Sequence, residues 1–323
     1  MQNKNTRSVR RVIARAILSA AAASAFVLGG AGVANAAPAP DEDIETHRIS
    51  SSAGESAEAY WTPERMEAAT PADRELADPQ TSSSPVAAAD PVTIDGVAAA
   101  SGVSPELLVE AAPVSHIGKV FFTLAGQDYV CSGNSVVSAN ESTVATAGHC
   151  LNEGPGAYAT NFVFAPAYDE GATPYGVWSA TELVAPTAWV QQGDINYDTG
   201  FAVVSSGSGA TLSDTVGASG VAFNQPRGLE YTAYGYPAAS PFDGESLHVC
   251  SGAATSDTLG GTDSQGIPCD MTGGSSGGPW FIGDGAGGVQ NSVNSFGYNV
   301  LPGVMFGPFW GSVVQSAYDT AAS

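Results

Sequence analysis

Positive charge is scarce in this chain of 323 residues, which has 10 Lys and Arg against 32 Asp and Glu and a formal net charge of −22. Five of the cations precede Ala37, and from Ser115 onward the sequence has only Lys119 and Arg227. Such an acidic surface repels phosphate groups, so it excludes nucleic acid and anionic membranes as partners. The same charge favours solubility outside the cell.

Long hydrophobic runs are also absent after residue 36, so no stable membrane association is expected. The one apolar run, residues 16–33, follows four arginines and ends in the small-x-small sequence Ala34-Asn35-Ala36. This pattern predicts a secretory signal peptide at residues 1–36 and a secreted, extracellular protein. A membrane anchor is the alternative, disfavoured by a short core rich in Ala and Gly.

Cysteine is limited to Cys131, Cys150, Cys250 and Cys269, an even number in an exported chain, which predicts two disulfides. Three pairings are possible. We favour Cys131–Cys150 and Cys250–Cys269, because each pair brackets a short hairpin-like segment. The chain has no Cys-x-x-Cys sequence and its four histidines are scattered, so neither a metal nor another cofactor is expected.

Residues 37–113 lack cysteine and are rich in Ala, Pro, Ser and Glu. Thr62-Pro63-Glu64 and Ser104-Pro105-Glu106 each combine a helix N-cap, a proline at the first helical position and an acid that suits the helix dipole. We therefore expect a loosely structured prosegment with two short helices. A plain disordered linker is the alternative that the composition leaves open.

From Ile117 the pattern changes to short β-like runs separated by Gly, Pro, Asn and Asp, with no interleaved helical periods. This predicts an all-β barrel or sandwich, closed by a C-terminal helix at residues 310–321. The predicted strands cover residues 120–124, 129–137, 143–147, 161–165, 181–185, 201–204, 231–236, 247–253, 289–296 and 304–309.

Three distinctive local sequences occur in the order His, Asp, Ser. His149 lies in Thr-Ala-Gly-His-Cys, Asp198 precedes the apolar run 201–204, and Ser276 lies in Gly-Gly-Ser-Ser-Gly-Gly-Pro. A serine hydroxyl needs a neighbouring base to become a nucleophile, and that base needs a group to orient it. The glycines around Ser276 would let the backbone N–H groups of Gly274 and Ser276 face one point and hold an oxyanion. The set predicts acyl transfer.

Two alternatives compete with parts of this interpretation. The serine sequence also fits the Gly-x-Ser-x-Gly elbow of α/β-hydrolases, but that fold requires a histidine after the serine, and the last one is His248. Asp194 competes with Asp198 for the orienting role. It follows Gly193 in a more polar, turn-like stretch, so we favour Asp198.

Residues 115–323 resemble the chymotrypsin-like (trypsin-like) serine peptidases, in particular the bacterial secreted branch that includes the glutamyl endopeptidases. The resemblance rests on residues 146–150, 198–201 and 273–279. It implies a double antiparallel β-barrel with the active site between the barrels, in a peptidase domain at residues 114–323. It also implies that Ser295 and Gly297 belong to the edge strand that pairs with substrate, and that Gly307 lines the primary specificity pocket.

Three positions show how far the chain follows that family. Ser275 stands where the animal enzymes have the Asp that binds a new N-terminal amine, so activation must work differently, most simply by removal of the prosegment from the cleft. Asp270 occupies the position of the pocket acid in trypsin-like enzymes. Asn294 replaces the His of the glutamyl enzymes, which weakens a preference for Glu. The preferred side chain stays open, with a lean towards basic or mixed.

The sequence thus predicts a secreted, monomeric serine endopeptidase that acts on protein or peptide substrates through His149, Asp198 and Ser276, with Asp270 at its substrate pocket. A catalytically inactive, protease-like secreted binding protein is the alternative from a different functional class. The three intact local sequences argue against it, since a binding module needs none of them.

Overall fold

Short β-strands carry most of the fold, as the sequence predicts. The computed structural model describes residues 43–73, 75–76, 86, 89–99, 112–283 and 285–323, which belong to one compact unit, Pro40–Ser323. The strands in these ranges are β1 (Ile44–Arg48), β2 (Thr70–Pro71), β3 (Glu75–Leu76), β4 (Val92–Ile94), β5 (Ile117–Leu124), β6 (Gln127–Val136), β7 (Thr143–Thr146), β8 (Thr160–Pro166), β9 (Trp178–Pro186), β10 (Gly200–Ser205), β11 (Gly220–Phe223), β12 (Glu230–Gly235), β13 (His248–Ala253), β14 (Thr255–Ser256), β15 (Gln265–Pro268), β16 (Pro279–Ile282), β17 (Val289–Val293), β18 (Phe296–Tyr298) and β19 (Leu301–Gly307).

Helices are few and mostly short. They are α1 (Ser51–Tyr60), α2 (Pro63–Ala68), α3 (Thr187–Gln192), α4 (Leu212–Val216) and α5 (Ser312–Ala321), with 3₁₀ helices at Gly148–Cys150, Ile195–Tyr197 and Gly285–Gly287. No helix in the described ranges combines the length and the apolar character needed to cross a membrane.

The first half of residues 114–323 is a closed barrel of six antiparallel strands. Its order is β9-β10-β7-β6-β5-β8, and pairing of β8 with β9 closes it. The second half is built from a six-stranded sheet, β13-β12-β16-β17-β11-β4, and a five-stranded sheet, β14-β15-β19-β18-β3. The predicted all-β fold class is confirmed.

The C-terminal helix returns to the first barrel. Val314 and Tyr318 of α5, together with Trp310 just before it, share one hydrophobic core with Phe201 of β10. The Trp310 indole donates to the hydroxyl of Thr199, next to Asp198, at 3.1 Å. The helix predicted from apolar spacing therefore buries its apolar face against the barrel that carries two of the candidate site residues.

Most predicted strands are present, but the run 289–296 is divided into β17 and β18. The break falls at Asn294 and Ser295, whose side chains hydrogen-bond to groups of the candidate site rather than continuing the strand. Strands β11, β14, β15 and β16 are absent from the predicted strands of residues 114–323, because each is only two to four residues long.

The described part of the predicted prosegment adds an edge strand to every sheet. Strand β1 pairs with β9, β2 with β6, β3 with β18 and β4 with β11. Helix α2 begins as predicted, with the Thr62 side chain accepting from the Arg65 N–H and with proline at the first position. The second predicted helix, after Ser104, lies outside the described residues.

These residues are more ordered than the expected loose segment. Trp61 is buried in a core with Phe121 and Tyr168, and its indole donates to the Asn161 carbonyl at 2.6 Å. Glu58 of α1 accepts a 2.9 Å hydrogen bond from Ser179 of β9. The order comes from open strand edges and an apolar surface on residues 114–323, which the composition of residues 37–113 does not reveal.

Candidate active site

The candidate histidine lies where the first barrel meets the cleft. His149 is the middle residue of the 3₁₀ helix that follows β7, and its neighbour Cys150 is joined to Cys131 of β6 by a disulfide. The second disulfide joins Cys250 of β13 to Cys269, which precedes the serine loop. Both favoured pairings are present, and the first fixes the backbone beside His149 to the barrel.

His149 and Asp198 are in direct contact. Nδ1 of His149 lies 2.7 Å from Oδ2 of Asp198, and the backbone N–H of His149 donates to Oδ1 at 2.7 Å. Asp198 is fully buried and His149 is 8% exposed. An ionised carboxylate only accepts, so this contact places a proton on Nδ1, and in the neutral imidazole Nε2 is then the acceptor.

Asp194, the competing acid, does not take part in this contact. Its side chain accepts from the Asn196 N–H at 3.1 Å and caps the 3₁₀ helix Ile195–Tyr197. Burial raises the pKa of the Asp194 carboxyl. The geometry therefore agrees with the choice of Asp198.

Ser276 lies at the tip of a tight loop between β15 and β16. Its carbonyl accepts from the Ser132 N–H at 2.7 Å, which fastens the loop to the first barrel. Gly274 and Gly277 have φ values of 93° and 82°, the left-handed region that favours glycine. A Cβ at Gly277 would lie 2.1 Å from the Thr146 hydroxyl, so this position excludes any side chain.

The hydroxyl of Ser276 is engaged by the predicted prosegment. It donates to the Ala72 carbonyl at 3.5 Å, and the same carbonyl accepts from the Gly274 N–H at 2.8 Å. Among the described residues, none forms a hydrogen bond with Nε2 of His149. A peptide carbonyl thus occupies the position beside Ser276 that the sequence assigns to an oxyanion.

A cavity of about 300 Å³ opens beside Ser276. Two buried methionines, Met271 and Met305, contribute apolar surface to it, whereas Asp270 at its border is exposed. The described residues that line it include two carboxylates, Asp270 and Asp73, and no Lys, Arg or His.

The other residues assigned to substrate binding divide into two groups. Ser295 and Gly297 line the cavity beside Ser276. Gly307 is not among its lining residues. A Cβ at Gly307 would lie 2.5 Å from the Ser292 hydroxyl and 3.2 Å from the Trp280 ring, so its small size serves packing between β19 and β17.

Three buried residues support the site in ways that the sequence analysis did not predict. Ser295 donates its hydroxyl proton to Asp198 Oδ2 at 2.6 Å. Asn294 donates to the Ser275 carbonyl at 3.0 Å, and Ser132 donates to the Gly274 carbonyl at 2.9 Å. In the sequence, only the position of Asn294 and Ser295 at the expected edge strand indicated that these residues lie near the site; nothing indicated it for Ser132.

One group of potential metal ligands occurs at the site. Atoms of Cys131, His149 and Cys150 lie within 4.8 Å of one another. Both sulfur atoms belong to the disulfide, however, and a disulfide does not supply the thiolates that zinc binds. The donor set therefore does not suit a metal.

No family model matches the sequence. Two solved structures are closely similar to it. Protease Anisep from Arthrobacter nicotinovorans is 63% identical, with a TM-score of 0.65, over 66% of this chain and 98% of that chain. The thermostable serine protease AL20 from an extremophilic microorganism is 58% identical, with a TM-score of 0.63, over 65% and 97%. The chain belongs to the chymotrypsin-like serine proteases. It is a serine endopeptidase.

A more distant solved structure shares the fold of this serine protease, and one curated protein matches part of its sequence. The structure of a Glu endopeptidase is 19% identical, with a TM-score of 0.51, over 71% of this chain and 97% of that chain. Among curated proteins, an extracellular metalloprotease of Bacillus subtilis is 32% identical over 114 residues, 35% of each chain. The match thus spans about a third of that curated relative.

Proposed function

We propose that this serine endopeptidase cleaves peptide bonds with Ser276 as nucleophile, His149 as general base and acid, and Asp198 as the group that orients His149. The observation that carries the proposal is the pair of 2.7 Å contacts from His149 Nδ1 and its backbone N–H to the buried Asp198 carboxylate. They hold the imidazole in the tautomer whose Nε2 accepts a proton.

The reaction follows from this tautomer. As Ser276 Oγ attacks the carbonyl carbon of a substrate, its proton passes to Nε2 of His149, and the resulting imidazolium is stabilised by Asp198. His149 then gives the proton to the leaving amine, which leaves an ester between Ser276 and the acyl half of the substrate. Water enters, loses a proton to His149 and attacks the ester carbonyl, and as the bond to Ser276 Oγ breaks His149 returns the proton to Oγ.

The N–H groups of Gly274 and Ser276 form the proposed oxyanion hole. The Gly274 N–H already holds the Ala72 carbonyl at 2.8 Å, and Ser276 Oγ lies 3.5 Å from the same oxygen. A donor placed in advance at this point stabilises the negative charge that develops on the carbonyl oxygen.

The proposed chain organisation is a signal peptide at 1–36, a prosegment at 37–113 and the protease domain at 114–323. Anisep and AL20, each matched over nearly its whole length, cover 66% and 65% of this chain. That share matches the length of residues 114–323. The curated relative is named extracellular, which supports secretion, and we propose that the processed enzyme acts as a monomer on protein or peptide substrates.

Labelling with a fluorophosphonate tests the nucleophile. The processed enzyme from the culture medium should be labelled at Ser276. Ser276→Ala should abolish labelling and lower peptide hydrolysis by roughly 10⁴-fold or more. Ser275→Ala is the matched control. The Ser275 hydroxyl donates to the Thr272 carbonyl at 2.7 Å, so its removal should leave labelling intact. A processed protein that is neither labelled nor active would instead be an inactive binding protein.

A further inference from the structure

Residues 70–73 and 75–76 of the proposed prosegment run along the active-site cleft from β6 to β18, and keep one chain direction. Strand β2 lies parallel to β6, with Pro71 opposite Val130, and the next N–H, that of Ala72, donates to the Val130 carbonyl at 2.9 Å. The Ala72 carbonyl then meets Gly274 and Ser276, and β3 runs parallel to β18, with Glu75 opposite Gly297. We call residues 70–73 and 75–76 the cleft segment.

The position of Asp73 defines the direction of this segment relative to a substrate. In a serine protease the pocket beside the nucleophile holds the side chain of the residue whose carbonyl is attacked. In the cleft segment Ala72 supplies the carbonyl, but Asp73, the following residue, borders the cavity. Asp73 also lies close to the serine loop, since a Cβ at Gly273 would be 2.8 Å from its Cβ.

The strand pairings agree with a reversed direction. Both contacts of the cleft segment, with β6 on one side of Ser276 and with β18 on the other, are parallel. A peptide that ran through the same groove the other way would pair antiparallel with both strands. A substrate whose own side chain enters the cavity must run that other way.

We propose that the cleft segment inhibits the protease by binding its cleft in the direction opposite to a substrate, which keeps its Ala72–Asp73 bond from being cut there. The inference rests on the proposed role of Ser276. The leaving amine of that bond would belong to Asp73, on the cavity side of the carbonyl, where a substrate has its acyl half. A substrate's leaving amine must receive a proton from His149. The amine of Asp73 lies on the opposite side of the carbonyl, so His149 does not protonate it there.

The contacts of Ser276 explain how the segment blocks chemistry. Its hydroxyl proton is directed at the Ala72 carbonyl oxygen, whereas catalysis requires it on the acceptor Nε2 of His149. At the same time the Gly274 N–H, one half of the proposed oxyanion hole, is occupied. A substrate must displace both hydrogen bonds and both strand pairings before it binds.

Two leucine substitutions in the full secreted chain distinguish the two directions. If the segment is reversed, Ala72→Leu places a larger side chain in a buried position, since Ala72 is 7% exposed and packs in the first-barrel core. Fluorophosphonate labelling of Ser276 should then become faster, by roughly tenfold. Asp73→Leu should slow labelling by roughly threefold or more, because leucine replaces a carboxylate beside Asp270 and the apolar methionine surface.

A segment bound in the substrate direction gives the opposite results. The larger side chain of the Ala72→Leu variant would enter the cavity, so its labelling would slow, or mass spectrometry would find cleavage after residue 72 that disappears when Ser276→Ala is added. Either result would overturn the proposal, and so would labelling rates unchanged by both substitutions. Labelling and activity of the processed enzyme distinguish failure of this proposal from failure of the proposed function. If the processed enzyme is neither labelled nor active, the proposed function fails. If it is both labelled and active, the leucine variants test only the direction of the cleft segment.

Discussion

Ser295 donates to the same carboxylate oxygen of Asp198 that receives Nδ1 of His149, at 2.6 Å and 2.7 Å respectively. All three side chains are buried. Ser295 also immediately precedes β18, the strand that pairs with the cleft segment. Ser295 therefore connects the carboxylate that contacts His149 to the strand that pairs with the cleft segment.

Replacing Ser295 should affect turnover more than substrate binding. Ser295→Ala removes a hydrogen bond to a charged group, and we expect kcat to fall by roughly tenfold with little change in KM, whereas Ser295→Thr should retain most activity. Ser292→Ala is the matched control, because that hydroxyl binds the Pro308 carbonyl instead. A purely structural role would lower stability in both alanine variants without a selective loss of kcat.

The two candidate acids should differ sharply in steady-state kinetics. Asp198→Asn leaves the shape unchanged but favours the wrong imidazole tautomer, so kcat should fall by roughly 10³–10⁴-fold. Asp194→Asn removes an acid that caps a 3₁₀ helix, and kcat should change by less than about threefold. The reverse ranking would transfer the orienting role to Asp194.

The cavity beside Ser276 should disfavour a negatively charged substrate residue. Asp270 borders it, and Lys119 and Arg227, the two cations from Ser115 onward, are paired with Glu245 and Asp263. Of two peptides that differ only by Glu or Gln before the cleaved bond, we expect the Gln peptide to be cut with a kcat/KM higher by roughly two- to fivefold, because Asp270 is exposed to solvent. The ratio should decrease in Asp270→Asn. Preferential cleavage after Glu would contradict this electrostatic argument.

Lys119 should make stability depend on pH in the alkaline range. Its ammonium group is buried, donates to the Gly244 carbonyl at 3.0 Å and lies 3.6 Å from Glu245. Burial lowers the pKa of Lys119 from 10.5 to about 8, partly opposed by the charges of Glu245 and Asp243. Between these two pH values the unfolded chain binds the extra proton, so raising the pH favours the folded state.

Chemical denaturation of the wild type and of Lys119→Met at a series of pH values measures this effect. The free energy of unfolding of the wild type, relative to the variant, should increase by about 3 kcal/mol between pH 7 and pH 10.5. The variant lacks the titrating group and serves as the reference for all other ionisations. Parallel pH curves for the two proteins would show that Lys119 keeps an ordinary pKa.

Much of the candidate site was predictable because its signals are local. The loop around Ser276 needs glycine at Gly274 and Gly277 for a left-handed backbone, and this need is visible in the sequence itself. The N-cap Thr62 and the following proline likewise define the start of α2 within four residues. Short β-like runs separated by Gly, Pro, Asn and Asp indicated most barrel strands for the same reason.

Other features of the fold have no local signal. Strands β2 and β3 are two residues long, too short for any periodic pattern, and they exist because β6 and β18 present open edges. The supporting hydrogen bonds of Ser132 and Asn294 reach carbonyl groups 142 and 19 residues away in the chain. Which carbonyl group each side chain reaches depends on how the first barrel packs against the two sheets of the second half.

The sequence by itself determined the chemical groups of this protease: a serine, a histidine and an aspartate in three characteristic settings, two disulfides and an acidic chain with very few cations. The tertiary structure alone decided that Asp198 rather than Asp194 touches His149, and that the cleft segment lies with Asp73, not Ala72, beside the cavity. The physical reason is that direction and contact depend on strand pairings between distant segments, whereas residue type and backbone preference act within a few positions.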